Sequence, residues 1–219
     1  MTDGVVDDAL VAATERVAQV FGDAPAAPDE VGCGRCFTGS ELVLLRAPGI
    51  AVPRELAVQV ARKEPLHWED QPAMIRRVLP VVVGALADGE SEPCLVARGI
   101  AAAEWSTWPA AQSSSIREFL DTWWTATLRR APGPVRAAEV FEACAIASGE
   151  VLPWLDVLDR EARTSDHASR HRAACRDEWR EELAGSHMLF LWWWGSSDDE
   201  RSAVAELERW CTTAAESPA

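Results

Sequence analysis

Apolar positions recur at three- and four-residue intervals along most of this 219-residue chain, the spacing that gathers them on one stripe of an α-helix. Val6, Leu10, Ala13, Val17 and Val20 or Phe21 form the first stripe, over residues 5–21. The Pro- and Asp-rich stretch FGDAPAAPDE ends it. Thr38 or Ser40 then caps a short helix through Leu42 and Leu45, which Pro48 and Gly49 stop. Pro53 suits the first position of a helix facing Leu56, Ala57 and Val60 inward. Met74, Val78, Leu79, Val82, Val83 and Leu86 keep the period across Pro80, which is expected to kink that helix rather than end it, with Gly89 as its stop.

The pattern continues. A shorter helix is predicted over 94–105, then a long one opened by Thr107 or Trp108 and Pro109, with Ile116, Phe119, Leu120, Trp123, Trp124, Thr127 and Leu128 on a thick apolar face. Residues 135–148 follow, with Gly149 as the stop. Trp154, Leu155 and Leu158 mark the next helix, beginning near Val151, and 164–166 caps a long Arg/Glu-rich one to Leu183 whose charges point mostly outward. SHMLFLWWWG at 186–195 reads as a buried helix or an extended segment, and would be a dimer interface if exposed. The SSDD of 196–199 caps a last helix presenting Val204, Leu207, Trp210 and Cys211. Period-2 alternation is missing throughout. The fold expected is all-α: about ten short-to-medium helices in antiparallel pairs, a helical bundle or a short HEAT-like solenoid, occupying 1–219 as a single domain with 1–4 and 213–219 frayed.

Charge narrows the partners. The formal net charge of −14 repels phosphate backbones and anionic lipid surfaces, so neither nucleic acid nor membrane is expected. The acidic groups gather at Asp3, Asp7, Asp8, Glu15, Asp23, Asp29 and Glu30 and again at Asp198, Asp199 and Glu200; most are expected to be solvated, and such a surface suits a basic protein partner. The N-terminus is acidic where a signal peptide is basic, and the six cysteines outline no disulfide framework, so a reducing cytoplasm is the expected location. Among 21 basic residues only Lys63 is a lysine, a bias that codon usage explains.

Cys33 and Cys36 form the one short motif with a chemical meaning, because C-x-x-C chelates a soft metal or cycles as a dithiol. No second pair follows at finger spacing, so zinc would need a distant third ligand, His67 or Cys94. His167, His171 and Cys175 recur every fourth residue, a helix-face row that suits either zinc or an Arg-paired, solvated surface. The run from His67 to Asp70 brings an imidazole, an indole and two carboxylates together, either as acid/base groups or as a helix cap. Trp68, Asp70, Trp105 and Trp108 are candidate interaction or pocket residues. Eleven tryptophans without a tyrosine pack a core or line a ligand pocket over 105–124 and 192–194. No nucleophile elbow, Walker, dinucleotide-binding or HExxH motif occurs.

Three of these features appear in a particular order: GCGRCFTGSELVLL, the Trp68-Glu-Asp70 turn leading to the VLP of 78–80, and AAEWSTWP at 102–109 followed by FLDTWW. In that order, over residues 32–128, the chain resembles an uncharacterised bacterial all-helical family. The resemblance implies an all-α fold and carries over no catalytic residue. Members often have a further Cys or His near the first pair, where this chain has Phe37. The function expected is a non-enzymatic protein-interaction module, regulatory or immunity-type, with an acidic surface. The alternatives are a zinc-binding protein using Cys33, Cys36 and His67, and a small-molecule binder with a Trp-rich pocket.

Overall fold

A computed structural model describes residues 3–22, 24, 29–133, 135–185 and 189–213, and only the backbone of residues 3–7. Ten α-helices follow one another: α1 (Asp3–Phe21), α2 (Gly39–Arg46), α3 (Arg54–Arg62), α4 (Gln71–Ala87), α5 (Pro93–Ala102), α6 (Ala110–Arg129), α7 (Ala137–Ser148), α8 (Leu152–Ala162), α9 (Asp166–Ala184) and α10 (Ser197–Thr213). Single 3₁₀ turns lie at Pro65–His67 and Trp105–Thr107, and the described residues contain no strand. The all-α expectation holds, while the Val6 side chain and residues 186–188 lie outside the described set.

Local chemistry explains the boundaries. Thr38 caps α2 in a reciprocal box: its Oγ1 accepts from the Glu41 amide at 3.3 Å, and the Glu41 carboxylate accepts from the Thr38 amide at 2.7 Å. Pro53 and Pro109 sit one position earlier than the pattern suggested, as caps rather than first helical residues. Their carbonyls already accept helical bonds, from Ala57 at 2.9 Å and Ser113 at 3.1 Å, and neither has an N–H to strand. α4 continues through Pro80. α5 stops at Ala102 rather than Trp105, because Glu104 turns left-handed (φ 52°) and the following 3₁₀ turn carries the Trp105 indole to the Ala147 carbonyl, 2.6 Å away.

In its described part, residues 189–195, the apolar run before α10 is not a helix. Residues 189–192 form turns, with Phe190 left-handed (φ 58°) and its amide donating to the Glu142 carboxylate of α7 at 2.8 Å. Leu189 and Phe190 are buried, whereas Leu191 and Trp194 face solvent, so the run is shared between core and surface. Burial is the main reason the Glu142 carboxyl is pushed up to about 7.

α1 packs on α6 and α4, α5 on α7, α3 on α4, and α8 on α9. The α1–α6 contact joins elements far apart in sequence, while α3–α5, α5–α7 and α6–α8 are contacts between alternate helices of the kind stacked helix pairs make, so the packing is compatible with a helical bundle or a short solenoid. Gly99 lets α5 press onto α3, since a Cβ there would lie 2.0 Å from the Ala61 carbonyl oxygen. Most tryptophans are core: Trp124 donates to the Trp154 carbonyl at 3.0 Å, and Trp154 to the Ser148 hydroxyl at 3.0 Å.

Candidate metal centre

Two connections, α1 to α2 and α3 to α4, meet on a carboxylate that the charge pattern had assigned to solvent. Glu30 is only 3% exposed. One of its oxygens accepts from the amides of Gly32 at 3.0 Å and Glu69 at 2.8 Å, and the other from Asp70 at 2.8 Å. Glu69 and Asp70 immediately precede α4, where unpaired amides and the helix dipole favour negative charge, and that is why an acid is buried here. Asp70 completes the terminus by accepting from the Ala73 amide at 3.0 Å, which makes it a cap. Gly32, at φ +62°, lets the loop lie against the Trp68 ring, and a Cβ there would come within 2.6 Å of Leu42 and 3.1 Å of Trp68. Phe37 packs on Trp68 with ring centroids 4.8 Å apart.

This framework holds the cysteine turn. The amides of Cys36 and Phe37 both donate to the Cys33 carbonyl at 3.0 Å, and Gln59 of α3 donates its side-chain amide to the Cys36 carbonyl at 3.0 Å. The 3₁₀ turn then delivers His67, whose Nδ1 lies 3.5 Å from the Cys36 sulfur. The ligand atoms of Cys33, Cys36 and His67 all fall within 4.8 Å of one another, and all three side chains are half-buried. Bond lengths to zinc of about 2.3 Å for sulfur and 2.0–2.1 Å for nitrogen, at a tetrahedral angle, put such atoms roughly 3.6 Å apart. The Cys36–His67 spacing is already that edge.

The thiols are unequal. Hydrogen bonding from His67 above all, with help from the Arg35 backbone and the Cys36 thiol, holds Cys33 down at about 6. Cys36 is raised by its hydrogen bond with Cys33 and by burial, against the opposing pull of Lys63. One thiolate is thus present near neutrality, and the second forms as a metal displaces its proton.

The remaining candidates go elsewhere. Cys94 turns its sulfur to the Glu139 carbonyl at 3.7 Å, and burial pushes its thiol well up, so His67 is the third member and Cys94 is not. The His167, His171, Cys175 row is split rather than solvated. His167 accepts from Arg170 at 3.0 Å; His171 is buried and donates to the Arg130 carbonyl at 3.0 Å; Cys175 is core, its thiol pushed up to about 12 by burial. Trp105 and Trp108 are buried away from the cluster, Trp108 between Phe21 and the Arg76 guanidinium, 4.1 Å above its ring. Trp68 flanks the cluster, and among the described residues its indole N–H has no partner. Glu30, Gln59 and Lys63 are the residues the sequence pattern did not single out as site members. Only Lys63 left a trace, as the sole lysine.

Compared with protein-family models, with curated proteins and with solved structures, the chain gives no match. The likeness over 32–128 therefore rests on its motifs alone. No described helix is long and apolar enough to cross a membrane.

Proposed function

We propose that the chain is a zinc-binding protein in which Cys33, Cys36 and His67 hold the ion and leave one coordination position open. The observation that carries this is the convergence of three soft or borderline ligands within 4.8 Å, one of them brought from 31 residues away. No fourth Cys, His, Asp or Glu among the described residues joins the group. The Glu30 bonds and the Trp68–Phe37 contact order both loops through groups other than the ligands. Sites that are purely structural close with four protein ligands; three ligands on a preformed frame are the arrangement of a working site. Zinc bound there would polarise the atom in the fourth position and lower the pKa of a water taken up in it. The chain's part is to orient Cys36 through Gln59 and to favour its thiolate through Lys63.

The test is metal content by plasma mass spectrometry on protein purified without a histidine tag. Wild type is expected to carry equimolar zinc, Cys33→Ser/Cys36→Ser none, and His67→Ala to bind at least about 100-fold more weakly. Wild type that takes up added zinc no more tightly than the double variant overturns the proposal.

A protein-interaction role is supported by a different observation. Val31, Val43, Ile50 and Leu66 are exposed apolar side chains in the segment that carries the site, and Leu66, 92% exposed, adjoins a ligand. A second copy of the chain is the simplest partner for such a patch. A mass by light scattering that rises with zinc and falls back in Leu66→Ser supports it, and a monomer mass with and without zinc refutes it.

A further inference from the structure

Arginine, tryptophan and carboxylate recur together on this fold. The Arg172 guanidinium lies 5.2 Å from the centre of the Trp210 ring and pairs with Asp159 at 2.6 Å, and the other Asp159 oxygen accepts from the Trp210 indole at 2.9 Å. Arg117 lies 5.6 Å from the Trp105 ring and 5.5 Å from the Trp154 ring, and pairs with Glu150 at 2.6 Å. Arg98 lies over Trp192 at 4.8 Å and Arg76 over Trp108 at 4.1 Å. A guanidinium is planar and weakly hydrated, so it stacks on an indole while its N–H edge meets a carboxylate.

One place has the rings and the acids without the cation. A cavity of about 270 Å³ lies between the α7–α8 junction, at Gly149 and Val151, and one face of α10. Trp193 and Trp194 line it from the segment before α10, and Asp199, Ser202 and Glu206 from the helix itself, where spacings of three and four put them on one stripe. No arginine, lysine or histidine is among the lining residues, and among the described residues no guanidinium lies over either ring. Trp194 is 43% exposed, so its ring is open to a ligand. Asp199 is tied to the start of α10, accepting from the Ser196 hydroxyl at 2.7 Å and the Ser196 amide at 3.1 Å. Glu206 is half-buried and has no hydrogen bond or ion pair among the described residues. The half-buried Asp159, Glu139 and Glu178 are each paired with an arginine.

We propose that this cavity binds an alkylguanidinium, its planar head against the Trp193 and Trp194 rings and its N–H groups toward Glu206. An external cation then completes here what Arg172 and Arg117 complete from within the chain. A carboxylate partly withdrawn from water and lacking a counter-charge gains from one, and the net charge of −14 draws cations to the surface. The volume takes the head group and a short stem, either of a free molecule or of an arginine side chain on another protein. The cavity and the metal centre share no residue, so each reading stands or falls alone.

The experiment titrates the full chain with butylguanidinium, followed by saturation-transfer NMR. Butylammonium serves as a cation without the planar head, and butylurea as the planar head without the charge. Butylguanidinium is expected to bind saturably with a Kd at or below about 10 mM, butylammonium about fivefold more weakly, and butylurea not at all. Glu206→Gln is expected to weaken butylguanidinium about fivefold and Trp194→Leu about threefold. Both side chains are partly exposed, so neither variant is expected to unfold the chain. An acetylated and amidated glycine-arginine-glycine peptide separates the two sources: tighter binding than butylguanidinium assigns the head group to an arginine of another protein, and weaker binding to a free molecule. No saturable binding up to about 10 mM, equal binding of butylurea or butylammonium, or an unchanged affinity in Glu206→Gln overturns the proposal.

Discussion

Cysteine and histidine stand together at two places in this chain, and the structure treats them in opposite ways. Around residues 33–67 they come from two loops and converge; along α9 they share one helix and disperse. The helical row has the more regular spacing, yet His171 and Cys175 are spent on the core while His167 pairs with Arg170. The loop set has the poorer spacing, yet its members are half-buried and turned toward one another. Proximity along a helix does not make ligands. A site needs groups that the rest of the structure orders without consuming, and at the first place Glu30, Gln59, Gly32 and Trp68 do that ordering through carboxylate, amide and ring contacts that leave sulfur and imidazole available.

The largest contrast lies in metal affinity. Removing His67 is expected to cost zinc binding at least about 100-fold, whereas Cys175→Ser and His171→Gln, measured by the same competition titration with a chromogenic chelator, are expected to leave it unchanged. Loss of zinc on changing α9 would mean that the two places have been assigned the wrong way round. Thiol chemistry separates them next. In the metal-free protein Cys33 is expected to alkylate with an apparent midpoint near 6, at a rate that rises with pH through that value as the thiolate forms. Cys175, pushed up to about 12, is expected to react at least about 100-fold more slowly until the fold opens. Peptide mapping after a short iodoacetamide pulse reads both, and equal labelling would erase the distinction.

Smaller effects concern the frame. Glu30→Ala leaves the Gly32 amide and the two amides preceding α4, of Glu69 and Asp70, without their acceptor and is expected to destabilise the protein by about 2–3 kcal/mol in urea melts. It is also expected to weaken zinc, because the loops that position the ligands lose their tie. Unaltered zinc affinity would show that the cysteine turn holds its shape by itself. His171→Ala is expected to cost about 1–2 kcal/mol through its lost bond to the Arg130 carbonyl and the space it vacates, with zinc binding untouched.

The helices were legible because their signal is local. Ile116, Phe119, Leu120, Trp123, Trp124 and Leu128 repeat at the helical period, and all six are buried on α6. The C-x-x-C pair was equally plain, and His67 followed as a possible third ligand, though nothing in the spacing preferred it to Cys94. What escaped depends on partners far along the chain. Glu30 is indistinguishable from the acids around it until the amides of residues 69 and 70, about forty positions on, come to meet it. The run at 189–194 is apolar enough for a helix, but its backbone is pinned left-handed at Phe190 by Glu142, 48 residues earlier. On spacing alone the α9 row suits zinc or a solvated, Arg-paired surface, because charge density along the helix masks the narrow stripe of Ala168, Cys175 and Trp179 that it buries.

X-ray absorption at the zinc edge, on protein loaded with one equivalent of the ion, tests most directly whether Cys33, Cys36 and His67 form an open three-ligand site. Two sulfur neighbours at about 2.3 Å and two nitrogen or oxygen neighbours at about 2.0–2.1 Å, one carrying the outer-shell pattern of an imidazole, are the expected result. A shell of four sulfurs, or one with no sulfur at all, would contradict it.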